Sequence, residues 1–451
     1  MTIQTFLKEH EASILDNLTK LLRQPSISAT GEGMAACAEV VARLMRDAGL
    51  DTKIHPTPGY PVVVGRIEGD ADRTLLIYGH YDVQPPDPLE DWDFNPFGAE
   101  RVGNRIYARG AIDDKGNFLA AVEAIRYYTE QGRRPPINVV VVIEGEEEIS
   151  SPNLLDFLKA HRDEFQADAL IDLDDCVQPD GRPKIVTGMK GICYVELSVR
   201  SEREFHSLMS PLLINPAWRL TWALASLKDA DETITIDDFY EDVRDPTPAE
   251  ERALKRLEYD GAEWLTDAKQ QRFVGGRDPD SAMHAFFFLP SCNICGLVGG
   301  YTGEGSKTVI PKKATAKIDF RLVPDQTPQG VLRKLRDHLD ARGFTDVTIE
   351  QLGATPWYRN SPEVPVALAL RQAVDDVFPE GAAVWVTYAG SGPAALFDEA
   401  LNIPQAYTGF GPVGDRIHAP NEYMTTDLYF SAIEVMVLAY EYFAQLDPKE
   451  G

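Results

Sequence analysis

The stretch INVVVVIEGEEEIS, residues 137–150, sets the frame of the fold. Its first seven residues are almost all β-branched, which suits a strand buried on both faces. A cluster of acids follows at once, at Glu146, Glu147 and Glu148. Working outward, strands are predicted over 60–67 and 73–78 and an apolar-striped helix over 118–128. A helix over 154–161 and a strand over 167–173 come next. Apolar residues at helical spacing also predict helices over 3–22 and 34–50. Strand and helix alternate, so the expectation is an α/β fold: a mainly parallel sheet with helices on both faces.

After residue 190 the texture changes. Residues 194–200 alternate like a half-buried strand, and 217–227 read as a helix. A long polar stretch over 229–283 reads as helix-rich. Strands are predicted over 291–297 and 308–322, a helix over 329–342 and a last strand over 347–352. Without the polar stretch the order is strand–helix–strand–strand–helix–strand, the split pattern of a ferredoxin-like α+β domain. The α/β texture then resumes to the end. The expected organisation is a catalytic domain made of 1–190 and 356–451, interrupted by an inserted domain over 191–355.

Bulk properties exclude several classes. The 451 residues carry a net charge of -27, which argues against non-specific nucleic-acid binding and against anionic membranes. No apolar stretch approaches the ~18 residues of a membrane span. The N-terminus shows no basic segment followed by an apolar one, so no signal peptide is read there. The cysteines are Cys37, Cys176, Cys193, Cys292 and Cys295. An odd number at low density does not make a disulfide framework, and a reducing cytoplasm is the expected location. Cys292 and Cys295 form a C-x-x-C without a second pair, and read as core or strand packing rather than a metal knuckle.

Three ligand-type clusters fall at the ends of predicted strands. "TLLIYGHYD" closes on His80 and Asp82, residues 137–150 on the three glutamates, and "ADALIDLDD" on Asp174 and Asp175. In open α/β sheets, sites collect at the carboxyl ends of strands. Any one acid after a strand is ordinarily a turn or cap; three such strands together point to a shared site. "ARGAIDDKG" adds Asp113 and Asp114 ahead of the 118–128 helix, where either would also serve as an N-cap. "DRIHAPNE" adds His418 in a loop. Imidazole with carboxylate suits zinc, and carboxylate-rich sites also take manganese or cobalt. A metal pair about 3.5–4 Å apart needs a carboxylate shared between the ions.

In order, HYDVQP, RGAIDDKG, EGEEEIS, GRPKIVTGMKG, SKTVIP, FRLVP and HAPNE resemble the carnosinase-like branch of the dinuclear metallopeptidases. That family also includes aminoacylase, glutamate carboxypeptidase and succinyl-diaminopimelate desuccinylase. The likeness runs from about residue 3 to residue 444. It implies two divalent ions, zinc first, with His80 and Asp174 on one ion and Glu148 and His418 on the other. Asp113 matches the bridging carboxylate, Glu147 the general base and Asp82 the acid that orients the His80 imidazole. Within EGEEEIS, the family's pair of acids directly precedes Ile149-Ser150, leaving Glu146 a spectator. Asp174 is favoured over Asp175 by its spacing from Gly181, and both stay open.

The inserted segment resembles the family's lid, which also makes a dimer contact. His206 matches a histidine supplied across a homodimer to the partner's site. Thr308 and Arg321 match positions that hold a substrate carboxylate; Asn215 falls near the lid helix, and Gly390 and Ser391 fall in a substrate-binding loop. The expected activity is hydrolysis of the amide bond of a dipeptide or similar small molecule with a free C-terminal carboxylate. An N-acyl, N-carbamoyl or N-succinyl amino acid is the alternative substrate, and an inactive metal-binding scaffold the alternative role. The chain departs from the family at Leu208 and at Pro211, Leu212 and Leu213, where glycines are usual, and more mildly at Ser150. "GYTGEGSKT", with Lys307, lacks the spacing of a phosphate-binding loop.

Overall fold

In the computed structural model of the protein, residues 1–257, 264–266, 268–413 and 416–446 are described. The main sheet has eight strands. Its order is Asp51–His55, Val62–Ile67, Ile137–Glu144, Ala71–His80, Ala169–Asp172, Gln405–Tyr407, Lys184–Val186 and Ala383–Trp385. The centre is parallel: Ala71–His80 pairs in that sense with both Ile137–Glu144 and Ala169–Asp172, and Gln405–Tyr407 continues it. The first two strands join antiparallel at one edge.

Alternation along the central strand divides two cores. Ile137, Val139, Val141 and Ile143 face a cluster shared with helices Ile3–Leu22, Met34–Asp47, Lys115–Thr129, Pro365–Val377 and Thr426–Gln445. Val140 and Val142 face a smaller cluster under helices Leu154–Ala160 and Ala394–Leu401. Both faces are therefore dry, and a run of valines is the sequence such a strand needs. Among the described residues no helix is long and apolar enough to cross a membrane.

The second sheet has four antiparallel strands, in the order Ser291–Gly299, Lys313–Leu322, Gly191–Arg200, Thr348–Thr355. With helices Pro216–Ala225 and Pro328–Ala341 this is the ferredoxin-like arrangement, the first strand lying between the third and the fourth. Cys193, Val195, Leu197 and Val199 face a core under the helices, and the opposite face stays open. The predicted strand over 308–322 is broken: Val309–Ile310 pairs with Phe205–His206, and Pro311 separates it from Lys313–Leu322. Proline lacks the N–H that a continuous ladder needs.

The polar stretch over 229–283 is less helical than its composition suggests. Beside the described helices Pro248–Arg256 and Pro279–Phe288 it is mostly turns, and residues 258–263 and 267 lie outside the described residues. Pro248–Arg256 is started by a capping box between Thr247 and Glu250. Ala253, Leu257, Met283 and Phe287 pack with Val186, Tyr358 and Trp385, so this stretch covers the edge of the main sheet. Both cysteines of the C-x-x-C lie on strand Ser291–Gly299. Cys292 is buried, but Cys295 is exposed on the outermost strand, its Sγ 2.9 Å from Asp319 Oδ1.

Candidate metal centre

Register brings the first donors together. His80 pairs with Glu144 and Tyr78 with Asp172, so three parallel strands end at one level. His80 is the last residue of its strand, Asp174 lies two residues beyond the next, and Glu147 and Glu148 form a short 3-10 turn beyond the third. Helix Lys115–Thr129 begins beneath this edge and carries Asp113 in just ahead of its first turn. Gly79 permits the approach: a Cβ there would stand 2.5 Å from Asp114 Oδ2 and 2.6 Å from Phe118 Cβ.

Asp113 lies between two histidines. Its Oδ1 is 3.0 Å from His80 Nε2 and its Oδ2 2.9 Å from His418 Nε2. Asp174 Oδ2 is 3.6 Å from His80 Nε2, and Glu148 Oε2 is 3.2 Å from His418 Nε2. Two trios result, His80–Glu147–Asp174 and Asp113–Glu148–His418, and in each the ligand atoms all lie within 4.8 Å of one another. Glu147 thus stands among the donors on the His80 side.

The electrostatics follow from this crowding. Burial alone would lower the His80 pKa, but the close carboxylates of Asp113, Asp174 and Asp82 outweigh it and raise it well above the ordinary value. His418 is raised to about 10 by Asp113 and Glu148. Burial opposes the Asp113 charge, yet the two histidines hold its carboxyl well below the usual range. Burial and neighbouring acids push Asp174 up to about 6. Glu147 rises well above an ordinary glutamate for the same reasons, burial first, then Asp174, Asp113 and Glu148. In the protein alone, histidine protons balance the acids. Divalent cations do the same more completely, and histidines ligate them in the neutral form.

The donor set fits two such ions. His80 Nε2 is buried and lacks a geometrically sound hydrogen bond, an expensive state for a ring nitrogen aimed at carboxylates. Asp82 holds the other side of the ring: His80 Nδ1 lies 3.1 Å from the Asp82 carbonyl and 3.4 Å from its Oδ1. The same carboxylate accepts the Glu147 and Glu148 N–H groups at 3.2 and 3.1 Å. Asp82 therefore fixes both the imidazole and the turn bearing the two glutamates.

The neighbouring acids point to different partners. Asp175 turns away to Lys184 Nζ at 2.6 Å, leaving Asp174 toward His80. Glu146 accepts from Asn153 Nδ2 at 2.9 Å. Asp114 occupies the N-cap position but makes no side-chain cap bond; its Oδ2 accepts the His80 N–H at 3.1 Å.

The structure also supplies partners that the sequence reading passed over. Glu422 Oε1 accepts from Ile112 N at 2.7 Å and Asp113 N at 3.3 Å, while Oε2 meets Arg109 Nη1 at 2.8 Å. This buried carboxylate clamps the loop that carries Asp113. Its signal was its place four residues after His418 in the same motif. Gln84 Nε2 donates to Glu148 Oε2 at 2.8 Å.

The remaining candidates lie apart from the two trios. Arg321 Nη1 donates to Ser391 Oγ at 3.2 Å, and its Nε lies 3.3 Å from Asp319. Ser391 borders the cavity, about 210 Å³, that also exposes Asp113, Glu147, Asp174 and His418. Gly390 adjoins Ser391, and a Cβ there would stand 2.7 Å from the Tyr388 ring. His206 is exposed; its Nδ1 accepts the Leu208 N–H at 3.2 Å and its Nε2 lies 3.5 Å from Thr308 Oγ1. Asn215 caps helix Pro216–Ala225 through Ala217 N. Within one chain, His206, Thr308 and Asn215 are not brought to the metal-type donors.

Sheet, insertion and donor set define a class: metal-dependent hydrolases on an open α/β scaffold. The model of peptidase family M20/M25/M40 matches residues 76–442, and the chain belongs to that family. It is 27% identical to a human Beta-Ala-His dipeptidase over 92% of this chain and 85% of the relative. It is also 27% identical to a Cys-Gly metallodipeptidase of Schizosaccharomyces pombe, over 89% of this chain and 87% of the relative. Among solved structures, an M20 family metallo-carboxypeptidase from Sulfolobus solfataricus superposes with a TM-score of 0.87 at 36% identity. That match covers 96% of this chain and 99% of the other.

Proposed function

We propose that the protein is a dinuclear metallodipeptidase, hydrolysing the amide bond of dipeptides or similar small substrates that end in a free carboxylate. The observation that carries this reading is Asp113, whose two oxygens face His80 and His418 at 3.0 and 2.9 Å. His80, Asp174 and Asp113 would hold one ion, and Asp113, Glu148 and His418 the other. Zinc suits the donors best, with manganese or cobalt as substitutes. When bound, such a pair supplies Lewis acidity and a water ionisable near neutral pH.

The chain's own groups do the rest. Glu147 takes the proton of the attacking water and returns it to the amide nitrogen as the C–N bond breaks. Its burial beside other acids raises its proton affinity, which suits a group that must accept and then release a proton. Asp82 keeps the His80 ring turned toward the site. Arg321, steadied by Ser391, reads the substrate carboxylate, with the Gly390 backbone lining that loop. Residues 191–355 act as the lid, inserted between catalytic segments 1–190 and 356–451.

The exposed His206 has work only if a second subunit receives it. A homodimer would place His206, with Thr308 beside it, against the partner's site to stabilise the tetrahedral oxyanion. Asn215 would fix the adjoining helix. Trp218, Trp222, Leu297 and Val298 lie exposed on the helix and outer strand of the lid, as a dimer contact requires. The free cysteines suit a reducing cytoplasm.

The test is a panel of dipeptides and N-acyl amino acids assayed after defined loading with zinc, manganese or cobalt. Chelator-sensitive dipeptide hydrolysis is expected. Turnover confined to N-acyl compounds would replace the substrate class, and no turnover with any loading would remove the enzyme reading.

A further inference from the structure

A second cavity, of about 230 Å³, meets the metal pocket at the Arg321–Ser391 hydrogen bond, and its charged lining is Lys190, Lys228, Arg277, Arg321 and Glu232. In a chain of net charge -27 such a cationic lining needs a cause. Lys228 is paired with Glu232, and Arg321 shares Asp319. Lys190 and Arg277 are left. Lys190 is only 4% exposed, yet its Nζ donates to a backbone carbonyl, Leu289 O at 2.6 Å. Arg277 Nη1 likewise donates to Val274 O at 3.1 Å. Among the described residues neither cation has a carboxylate within ion-pair distance.

A buried ammonium without a counter-ion is costly, and an anion arriving in the cavity would relieve it. Burial first, then Arg359 and Arg321, lower the Lys190 pKa to about 7, the response expected of a cation held among cations. The main chain at Lys190 is also fixed. Its N–H donates to Tyr388 O at 3.0 Å, and its carbonyl accepts from Ser391 Oγ at 2.6 Å. Between the cations the wall is apolar, with Ile234, Phe286 and Leu289, which suits the methylenes of a short acidic side chain.

Building on the dipeptidase reading, we propose that this cavity is a carboxylate subsite for the side chain of the substrate's C-terminal residue, with Lys190 and Arg277 as donors. Arg321, on the shared wall, takes the terminal carboxylate, and the cavity beyond it selects aspartate or glutamate.

Two measurements on the metal-loaded protein test this. In the first, kcat/KM is compared for Ala-Glu and the isosteric Ala-Gln. A preference of about tenfold or more for Ala-Glu is expected, since hydrogen bonds to charged groups are the strong ones. In Lys190→Met that ratio should fall toward one; Arg277→Gln is the second variant should the first fail to fold. In the second, calorimetry compares glutarate with butyrate. The metal ions and Arg321 can each take a carboxylate, so the subsite is read as the part of the glutarate preference that Lys190→Met or Arg277→Gln removes. Equal binding of the two acids, or a glutarate preference that persists in both variants, would overturn the subsite. Discrimination between the acids without hydrolysis of any dipeptide would keep the subsite and sink the dipeptidase reading instead.

Discussion

The two cavities on either side of Ser391 are electrostatic opposites. On one side Asp113, Glu147, Glu148 and Asp174 converge with two histidines; on the other Lys190 and Arg277 have no carboxylate within ion-pair distance among the described residues. The same physics governs both. Charges of one sign cannot be gathered out of water unless something of the other sign completes them. Cations would complete the first cavity, and an anion the second. The wall between them, Arg321 and Ser391, is where a molecule carrying both an amide and carboxylates would lie.

The comparison breaks most sharply at Asp113. If one carboxylate organises the whole anionic side, Asp113→Ala should release both ions and leave no measurable turnover. Elemental analysis of the purified variant, with the wild type beside it, checks this. Two ions retained per chain would show that the remaining donors form the centre without a bridge. Glu147→Gln should act differently, lowering kcat by about 10²–10⁴ while ion content stays near that of the wild type. Full turnover in that variant would move the base elsewhere.

On the shared wall the expected effect is smaller and shows mainly in KM. Arg321→Met removes a charged pair to the substrate carboxylate, a loss of about 10- to 100-fold in kcat/KM. A dipeptide amide, lacking that carboxylate, should be nearly indifferent to the change. Equal losses on the acid and the amide would mean that Arg321 supports the lid and does not read the substrate.

The two regions were unequally legible in sequence. The anionic side could be read because its donors sit where periodicity puts strand ends: His80, the 146–148 acids and Asp174 each follow an apolar run. Choices within clusters could not be read locally. Asp174 and Asp175 are adjacent and both acidic; what separates them is Lys184, a neighbour only once the sheet forms. Glu422 was overlooked because its work is to accept backbone N–H groups from residues 112 and 113, and its place in the His418 motif was its one signal. On the cationic side only Arg321 was legible, through the family resemblance; Lys190 and Arg277 were not. Lys190, Arg277 and Arg321 come from three separate stretches, and a lone lysine reads as surface until its burial is known. The polar stretch misled for a related reason: its buried acid Glu250 pairs with Arg359 at 3.3 Å, far along the chain.

The finest test of the contrast is pH. With its pKa at about 7, Lys190 carries a charge below neutrality and loses it above. Only the charged form attracts an anion, so glutarate affinity should fall as pH rises. Between about pH 6.5 and about pH 8 the charged fraction, and with it the affinity, drops about tenfold at most, because a bound anion itself favours the proton. The guanidinium groups of Arg277, Arg321 and Arg359 stay charged throughout and contribute no slope, and Lys228 is already committed to Glu232. Butyrate, which reports the metal side, calibrates any titration there. The slope of the glutarate-to-butyrate affinity ratio should vanish in Lys190→Met. A slope unchanged in that variant would place the titrating group on the anionic side, and the two cavities would then respond to pH as one.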